Sequence, residues 1–437
     1  MNLSPELIQA LNQRAHAVIP GGAHTYAKGD DQYPVSAPPF IARGKGCHAW
    51  DLAGREYIEY GMGLRAVTLG HAFAPVVQAA VQALQGGSNF TRPSLLELQC
   101  AEQLQALVPG AEMVKFCKDG STAVDAAIRL SRAYTGRDGV AMCADHPFFS
   151  TSDWFIGSTE MNAGIPASTQ QQVLKFRYND LDSLRALFDQ HPGRIACVVL
   201  EAARTEEPAP QYLQQLKALA HHEGAVLVFD EMITGFRWAL GGAQSLYGVT
   251  ADLSAFGKAM ANGFAVSALV GRRDLMQLGG TGHDRDRVFL LSTTHGAETH
   301  GLAAALATMQ FYQQHPVVET LYARGASLRA GFDRAAARHG LQQQVALHSR
   351  DCNLLFATRD LQGQPSQVLR TLFMQELLRR GVLAPSFVVS YSHSEADIDH
   401  TVEAIDAALA VYRQALDGDV QVFLEGRPVK PAVRRRA

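Results

Sequence analysis

The sequence predicts an α/β protein in which a large, mainly parallel sheet is covered by helices and joined to a smaller α+β domain. Three observations predict this. Strand-like and helix-like segments alternate through the middle of the chain, the pattern of a parallel sheet with crossover helices. The apolar runs 194–200 and 224–229 end in carboxylates, Glu201 and Asp230-Glu231, as strands buried on both faces of a parallel sheet do. From about residue 315 the texture changes to helix, short strand, helix and helix. The expected organisation is an N-terminal segment over 1–70 completing the small domain, a large domain over 71–314 and the C-terminal small domain over 315–437.

The elements follow in order. Residues 75–84 read as a helix with Val76, Val77, Ala80, Val81 and Leu84 on one face. A second helix over 95–107 stops near Pro109-Gly110. A short strand over 114–117 runs into Asp119-Gly120-Ser121-Thr122, followed by a helix over 123–134 and a strand over 140–143. Residues 212–222 are helical, and 265–271 form a further strand. In the C-terminal part, 353–357 read as a strand and 368–380 and 395–412 as helices. The tail beyond Asp419 ends in Arg434-Arg435-Arg436 and reads as a solvated end.

Composition excludes several classes. With 47% hydrophobic residues and a net charge of −3, the chain is not disordered. Its 39 Lys+Arg against 42 Asp+Glu give no global positive field, so nucleic acid is not expected as a partner. No run of apolar residues is long enough to span a membrane, and the N-terminus lacks the basic-then-apolar pattern of a secretion signal. Six scattered cysteines without a CxxC pair read as reduced, buried thiols in a cytoplasmic protein rather than as metal ligands. His221-His222 and the His295/His300 pair lack companion ligands at matching spacing, and no metal is expected. The charged share is 19%, against about 25% in soluble domains, which implies surface buried against another subunit.

Three features at strand ends carry chemistry. Asp119-Gly120-Ser121-Thr122 lies between a strand and a helix. There a glycine permits close backbone approach, free N–H groups and the helix dipole favour an anion, and a hydroxyl adds a donor. The bland alternative is an ordinary N-cap. Asp230 ends its strand, where a buried carboxylate needs a cation or donor: a protonated ring nitrogen, a metal, or a base such as Arg237. Lys258 sits in the apolar, glycine-flanked run Ser254-Ala-Phe-Gly-Lys-Ala-Met-Ala-Asn-Gly-Phe264, where burial moves a lysine towards nucleophilic reactivity. The spelling of a P-loop and of a GxGxxG fingerprint is absent. Phosphate cradle, strand-end carboxylate and buried lysine together suit pyridoxal phosphate.

Over about residues 14–415 the sequence resembles the class III pyridoxal-phosphate-dependent aminotransferases, glutamate-1-semialdehyde aminomutases most of all. The resemblance is carried by Arg14-Ala-x3-Ile-Pro-Gly-Gly22, Ala49-Trp-Asp51, Tyr57-Ile-Glu-Tyr60 and Gly70-His71, by Ala127-Ile-Arg-Leu-x-Arg-x-Tyr-Thr-Gly-Arg-Asp138, and by Val228-Phe-Asp-Glu-Met-Ile-Thr-Gly-Phe-Arg237 and Gly257-Lys258. It implies the aspartate-aminotransferase-like fold, fold type I, with a seven-stranded type of sheet. It implies Lys258 as the Schiff-base lysine and Asp230 as the partner of the pyridine nitrogen. Gly120 and Ser121 fall where the family binds phosphate, and Thr294 where a threonine reaches the phosphate of the neighbouring subunit in a homodimer with a shared active site. Glu201 aligns with a strand-end glutamate near the ring, and Phe148, in His146-Pro-Phe-Phe149, with the aromatic ring over the cofactor.

The implied activity is transfer of an amino group between a small-molecule amino donor and an aldehyde or ketone, with pyridoxal and pyridoxamine phosphate as the cofactor forms. The alternatives are an intramolecular aminomutase, a Schiff-base lyase without the cofactor, and a catalytically degenerate cofactor-binding protein. Departures from the aminomutase pattern concern the substrate. A serine and an arginine are replaced by Thr25 and Lys28, and a lysine does not make the two-pronged carboxylate contact of arginine. The segment Ala384-Pro-Ser-Phe-Val-Val-Ser-Tyr-Ser-His393 is shorter and carries no acid. Arg65 is a replacement candidate for holding an acidic or hydroxylated substrate, against a structural ion pair.

Overall fold

The computed structural model describes residues 3–432 and 434, and the chain divides into two compact units. One unit runs to Phe73 and resumes over Glu319–Arg434; the other is Ala74–Val318. In the first, β1 (Ile41–Lys45), β2 (His48–Asp51) and β3 (Glu56–Glu59) form an antiparallel meander.

The second unit holds β4 (Met113–Cys117), β5 (Gly139–Cys143), β6 (Val173–Phe176), β7 (Ile195–Leu200), β8 (Val226–Asp230), β9 (Leu253–Phe256) and β10 (Ser267–Gly271). They form one seven-stranded sheet in the order β4-β10-β9-β8-β7-β5-β6. β10 is antiparallel to both neighbours, and the other pairings are parallel. The strands β5, β7, β8, β9 and β10 are buried throughout, because helices cover both faces. The helix Gly120–Thr135 contributes Ala123, Val124, Ala127, Ile128 and Leu130 to that core.

Back in the first unit, β11 (Val345–His348) and β12 (Leu355–Thr358) form a hairpin, and β13 (Val382–Leu383) joins β3 in parallel. Helices Gln367–Arg379 and Glu395–Asp417 complete that unit.

Several sequence expectations need correction. β6 and β9, each four residues long, escape the sequence reading. The helix expected from residue 123 begins at Gly120. The predicted single face of helix Ala74–Gln85 splits: Val76 and Ala80 are buried, whereas Val77, Val81 and Leu84 are exposed. All six cysteines are free and buried. Among the described residues no helix is long and apolar enough to cross a membrane. Arg435 and Arg436 of the expected solvated tail lie outside the described residues, whereas Arg434 donates to Asp31 Oδ2 at 2.5 Å.

Candidate active site

The site is built where β4, β7, β8 and β9 of the Ala74–Val318 unit end. After β4, Asp119 is extended and caps the following helix by accepting the Thr122 N–H at 2.8 Å. Gly120 and Ser121 therefore occupy the first helical turn, where N–H groups lack intrahelical acceptors and the dipole is positive. The Ser121 hydroxyl accepts the Thr151 N–H at 3.1 Å. One turn further, Asp125 accepts from Ser150 Oγ (2.7 Å), Trp154 Nε1 (2.6 Å) and the Ser152 hydroxyl. The helix thus holds the loop after β5 at its own N-terminal end.

That loop presents one aromatic ring. Phe149 is 1% exposed and belongs to the core, whereas Phe148 is 50% exposed and meets Phe155 edge-on with ring centroids 5.4 Å apart. His146 is buried, and its Nδ1 accepts the Glu201 N–H at 3.0 Å, which ties the loop to the end of β7. Burial, helped by the Arg204 charge, pulls the imidazole down to about 3, so the ring is neutral. The Glu201 carboxylate lies 3.9 Å from Arg204.

At the end of β8, Asp230 is 6% exposed and pairs in register with Ala255 of β9. Its Oδ1 accepts the Met232 N–H at 2.9 Å. Burial raises its pKa to about 6, against the opposing pull of Lys258, the Met232 N–H and Arg204. Two residues beyond β9, Lys258 opens a short 3-10 turn with φ of +47°, a left-handed conformation that side-chain-bearing residues adopt at a cost. Lys258 is partly buried, and its charge acts on Asp230.

Met232 is the wedge between the predicted motifs. A Cβ on Gly120 would fall 2.8 Å from its Sδ, and a Cβ on Gly257 would fall 2.8 Å from the same sulfur and onto the Ser267 hydroxyl. A side chain at either glycine would therefore have to displace Met232, whose backbone N–H holds Asp230.

Phosphate-loop residues, Asp230 and Lys258 are therefore brought together around Met232, with Glu201 and Phe148 linked through His146 and the loop after β5. Arg237, weighed as a partner for Asp230, donates to the Ile233 carbonyl at 2.6 Å; the cations acting on Asp230 are Lys258 and Arg204. Thr294 stands apart on an exposed segment, its carbonyl accepting from Asn89 Nδ2 at 2.9 Å. Thr25, Lys28 and Arg65 belong to the other unit. There Arg65 ends a turn in which Met62, Gly63, Leu64 and Arg65 all have positive φ, and its guanidinium reaches Asn353 Oδ1 at 3.1 Å and Ser386 Oγ at 3.5 Å. Sequence reasoning missed Met232, Arg204 and Asp125. Position carried the only signal: Met232 lies two residues past the strand-end aspartate, Arg204 three past the strand-end glutamate.

Three comparisons place this geometry among known proteins. The family model described as aminotransferase class-III matches residues 27–409. A 3-aminobutyryl-CoA aminotransferase of Cloacimonas acidaminovorans is 31% identical, covering 93% of this chain and 97% of its own. A glutamate-1-semialdehyde 2,1-aminomutase of Acetivibrio thermocellus is 33% identical, covering 92% and 97%. The solved FumI protein of Sphingopyxis sp. MTA144, in its PLP internal aldimine form, superposes with a TM-score of 0.86 at 28% identity, covering 95% of this chain and 99% of its own.

Proposed function

The chain belongs to the class III aminotransferases, and from that premise we propose how its residues divide the work. It is a pyridoxal-phosphate-dependent enzyme that moves an amino group between an amino donor and an aldehyde or ketone, with intramolecular amino transfer as the second reading. The residues present suit the cofactor: a buried carboxylate, a lysine whose charge reaches it, and a helix N-terminus bearing Gly120 and a hydroxyl. The Asp230–Lys258 pair carries the assignment, because two such groups at adjacent strand ends match both ends of a pyridinium aldehyde.

Bound pyridoxal phosphate supplies an electrophilic aldehyde and a ring that absorbs an electron pair. Lys258 Nζ would hold the cofactor covalently and, as a free amine, would carry the proton taken from the donor Cα as general acid and base. Asp230 holds the ring nitrogen protonated; a cation at that position stabilises its ionised form and offsets the burial that raises it. Gly120 and Ser121 bind the phosphate through backbone N–H groups and the hydroxyl. Phe148 would cover the cofactor ring, and Glu201, 3.9 Å from Arg204, would lie near the ring face.

The unit Ala74–Val318 is proposed as the cofactor domain. Thr25, Lys28 and Arg65 of the other unit are proposed to select the substrate, and a fall in kcat/KM for acidic acceptors in Arg65→Met tests this. A homodimer is proposed in which Thr294 serves the neighbouring subunit; the exposed Val77, Val81, Leu84, Leu95 and Leu98 support a buried partner face. A monomer in solution with full activity refutes it. Six buried free thiols support a reducing, cytoplasmic compartment.

The 33% identity to an aminomutase favours the second reading, and stoichiometry separates the two. Net conversion of added donor to its keto product identifies a transaminase, whereas turnover without donor consumption identifies an aminomutase. Full activity in Lys258→Ala overturns both.

A further inference from the structure

Outside the catalytic unit, one cluster of side chains is arranged as a metal site. Cys47 lies in the turn between β1 and β2, after Gly46 with φ of +61°. His48 opens β2. Asp397 is the third residue of helix Glu395–Asp417, 350 positions from Cys47. The Cys47 thiol donates to Asp397 Oδ2 at 3.4 Å, and His48 Nε2 lies 3.0 Å from Asp397 Oδ1. One sulfur, one imidazole nitrogen and one carboxylate oxygen all fall within 4.8 Å of one another.

Their surroundings are what a first coordination sphere requires. The other imidazole nitrogen, His48 Nδ1, is buried and lies 2.8 Å from Glu56 Oε1 without hydrogen-bond alignment, so the Glu56 charge favours a proton on Nδ1 and leaves Nε2 to face a metal. Asp397 is oriented by the Ser394 N–H at 2.8 Å and the Ser394 hydroxyl at 2.6 Å. Cys47 is 1% exposed and His48 and Asp397 are partly buried, so the site is shielded yet has a path to solvent. Thiolate with imidazole selects a borderline-soft ion over Mg²⁺ or Ca²⁺. Zinc bonds of about 2.0–2.3 Å set tetrahedral ligand separations of about 3.2–3.7 Å, which three ligand atoms lying within 4.8 Å of one another reach by a small contraction.

We propose that Cys47, His48 and Asp397 bind one Zn²⁺-class ion, with water in the fourth position, and that this ion clamps the N-terminal meander to the C-terminal helix. On binding, the sulfur–metal bond replaces the S–H bond, and the thiol proton passes to buffer. The site is independent of the aminotransferase assignment, since its ligands belong to the unit without Asp230 and Lys258.

The test uses the full chain, stripped with a chelator and titrated with Co²⁺. A single equivalent giving a thiolate-to-cobalt absorption band in the near ultraviolet, displaced by Zn²⁺ and absent in Cys47→Ser, supports the site. Glu56→Gln retains the fold at its exposed position and weakens Zn²⁺ binding by about 10–100-fold through the lost carboxylate charge beside His48 Nδ1. Retention of the band in Cys47→Ser, no uptake at micromolar metal by the folded wild-type chain, or unchanged affinity in Glu56→Gln each overturns it. Pyridoxal phosphate absorbance, read in parallel, reports the fold of the other unit and stays unchanged in both variants.

Discussion

Asp230 and Glu231 are adjacent carboxylates at the end of one strand, both buried and both raised by that burial, to about 6 and about 7. Glu231 is embraced by protein: it accepts the Ala243 and Gln244 N–H groups at 2.8 Å each and the Thr234 hydroxyl. Gly242, with φ of +80°, has no room for a Cβ beside that carboxylate. Glu231 therefore anchors the helix Ala243–Tyr247 and has no reach to spare. Asp230 accepts one backbone N–H, from Met232, and otherwise leans on the charges of Lys258 and Arg204. The pair teaches that burial alone does not mark a catalytic acid. What marks it is a buried carboxylate balanced by the charges of lysine and arginine side chains more than by backbone donors.

The widest separation between the two sides comes from removing the amine. Lys258→Ala is expected to lower turnover by at least about 10²–10⁴-fold, the range of a lost general acid–base group, while the thermal midpoint of the cofactor-free chain stays close to wild type. Activity surviving in that variant breaks the comparison at its active end.

Next in size is Glu231→Ala. It leaves buried donors at Thr234, Ala243 and Gln244 without an acceptor, for an expected loss of about 3–5 kcal/mol in urea denaturation. Specific activity per folded molecule is expected to hold. A large drop in kcat without a stability change would move Glu231 to the catalytic side.

A smaller effect reads the Asp230 charge directly. Its folded pKa lies above the ordinary value of 3.8, so between about pH 6 and 4 the folded cofactor-free chain holds a proton that the unfolded chain has released. Wild type is then expected to gain about 2–3 kcal/mol relative to Asp230→Asn as pH falls from 7.5 to about 4. A difference independent of pH would show that Asp230 does not titrate in this range.

Smallest is Ser121→Ala, which removes one hydroxyl from the helix N-terminus and its bond to the Thr151 N–H. A roughly tenfold weaker cofactor affinity, about 1.4 kcal/mol, is expected from one lost charge-assisted donor. Fluorescence titration with pyridoxal phosphate measures it.

Local signals carried much of this architecture. β7 and β8 were legible because a strand buried on both faces must be apolar along its whole length, and their ends were marked by the abrupt carboxylates Glu201 and Asp230. Gly120 and Lys258 were legible because glycine at a strand-to-helix turn and a lysine in an apolar run are each locally anomalous. β6 and β9 were not. The face of helix Ala74–Gln85 was misread because an apolar stripe records hydrophobicity, not what covers it; Val77 and Val81 lie outside the core.

The sequence by itself determined the alternation of strand and helix, the three strand-end motifs, and through their resemblance the family and its cofactor. Only the tertiary structure decided which side chains meet. Met232 as the wedge shared by Gly120 and Gly257, the Arg204 charge acting on Asp230, and Cys47-His48 against Asp397 all join residues from different elements. Periodicity and composition act over a few residues, whereas such contacts arise when strand register and helix packing close loops of tens to hundreds of residues. No local pattern encodes that closure, so its chemistry becomes visible only once the chain is folded.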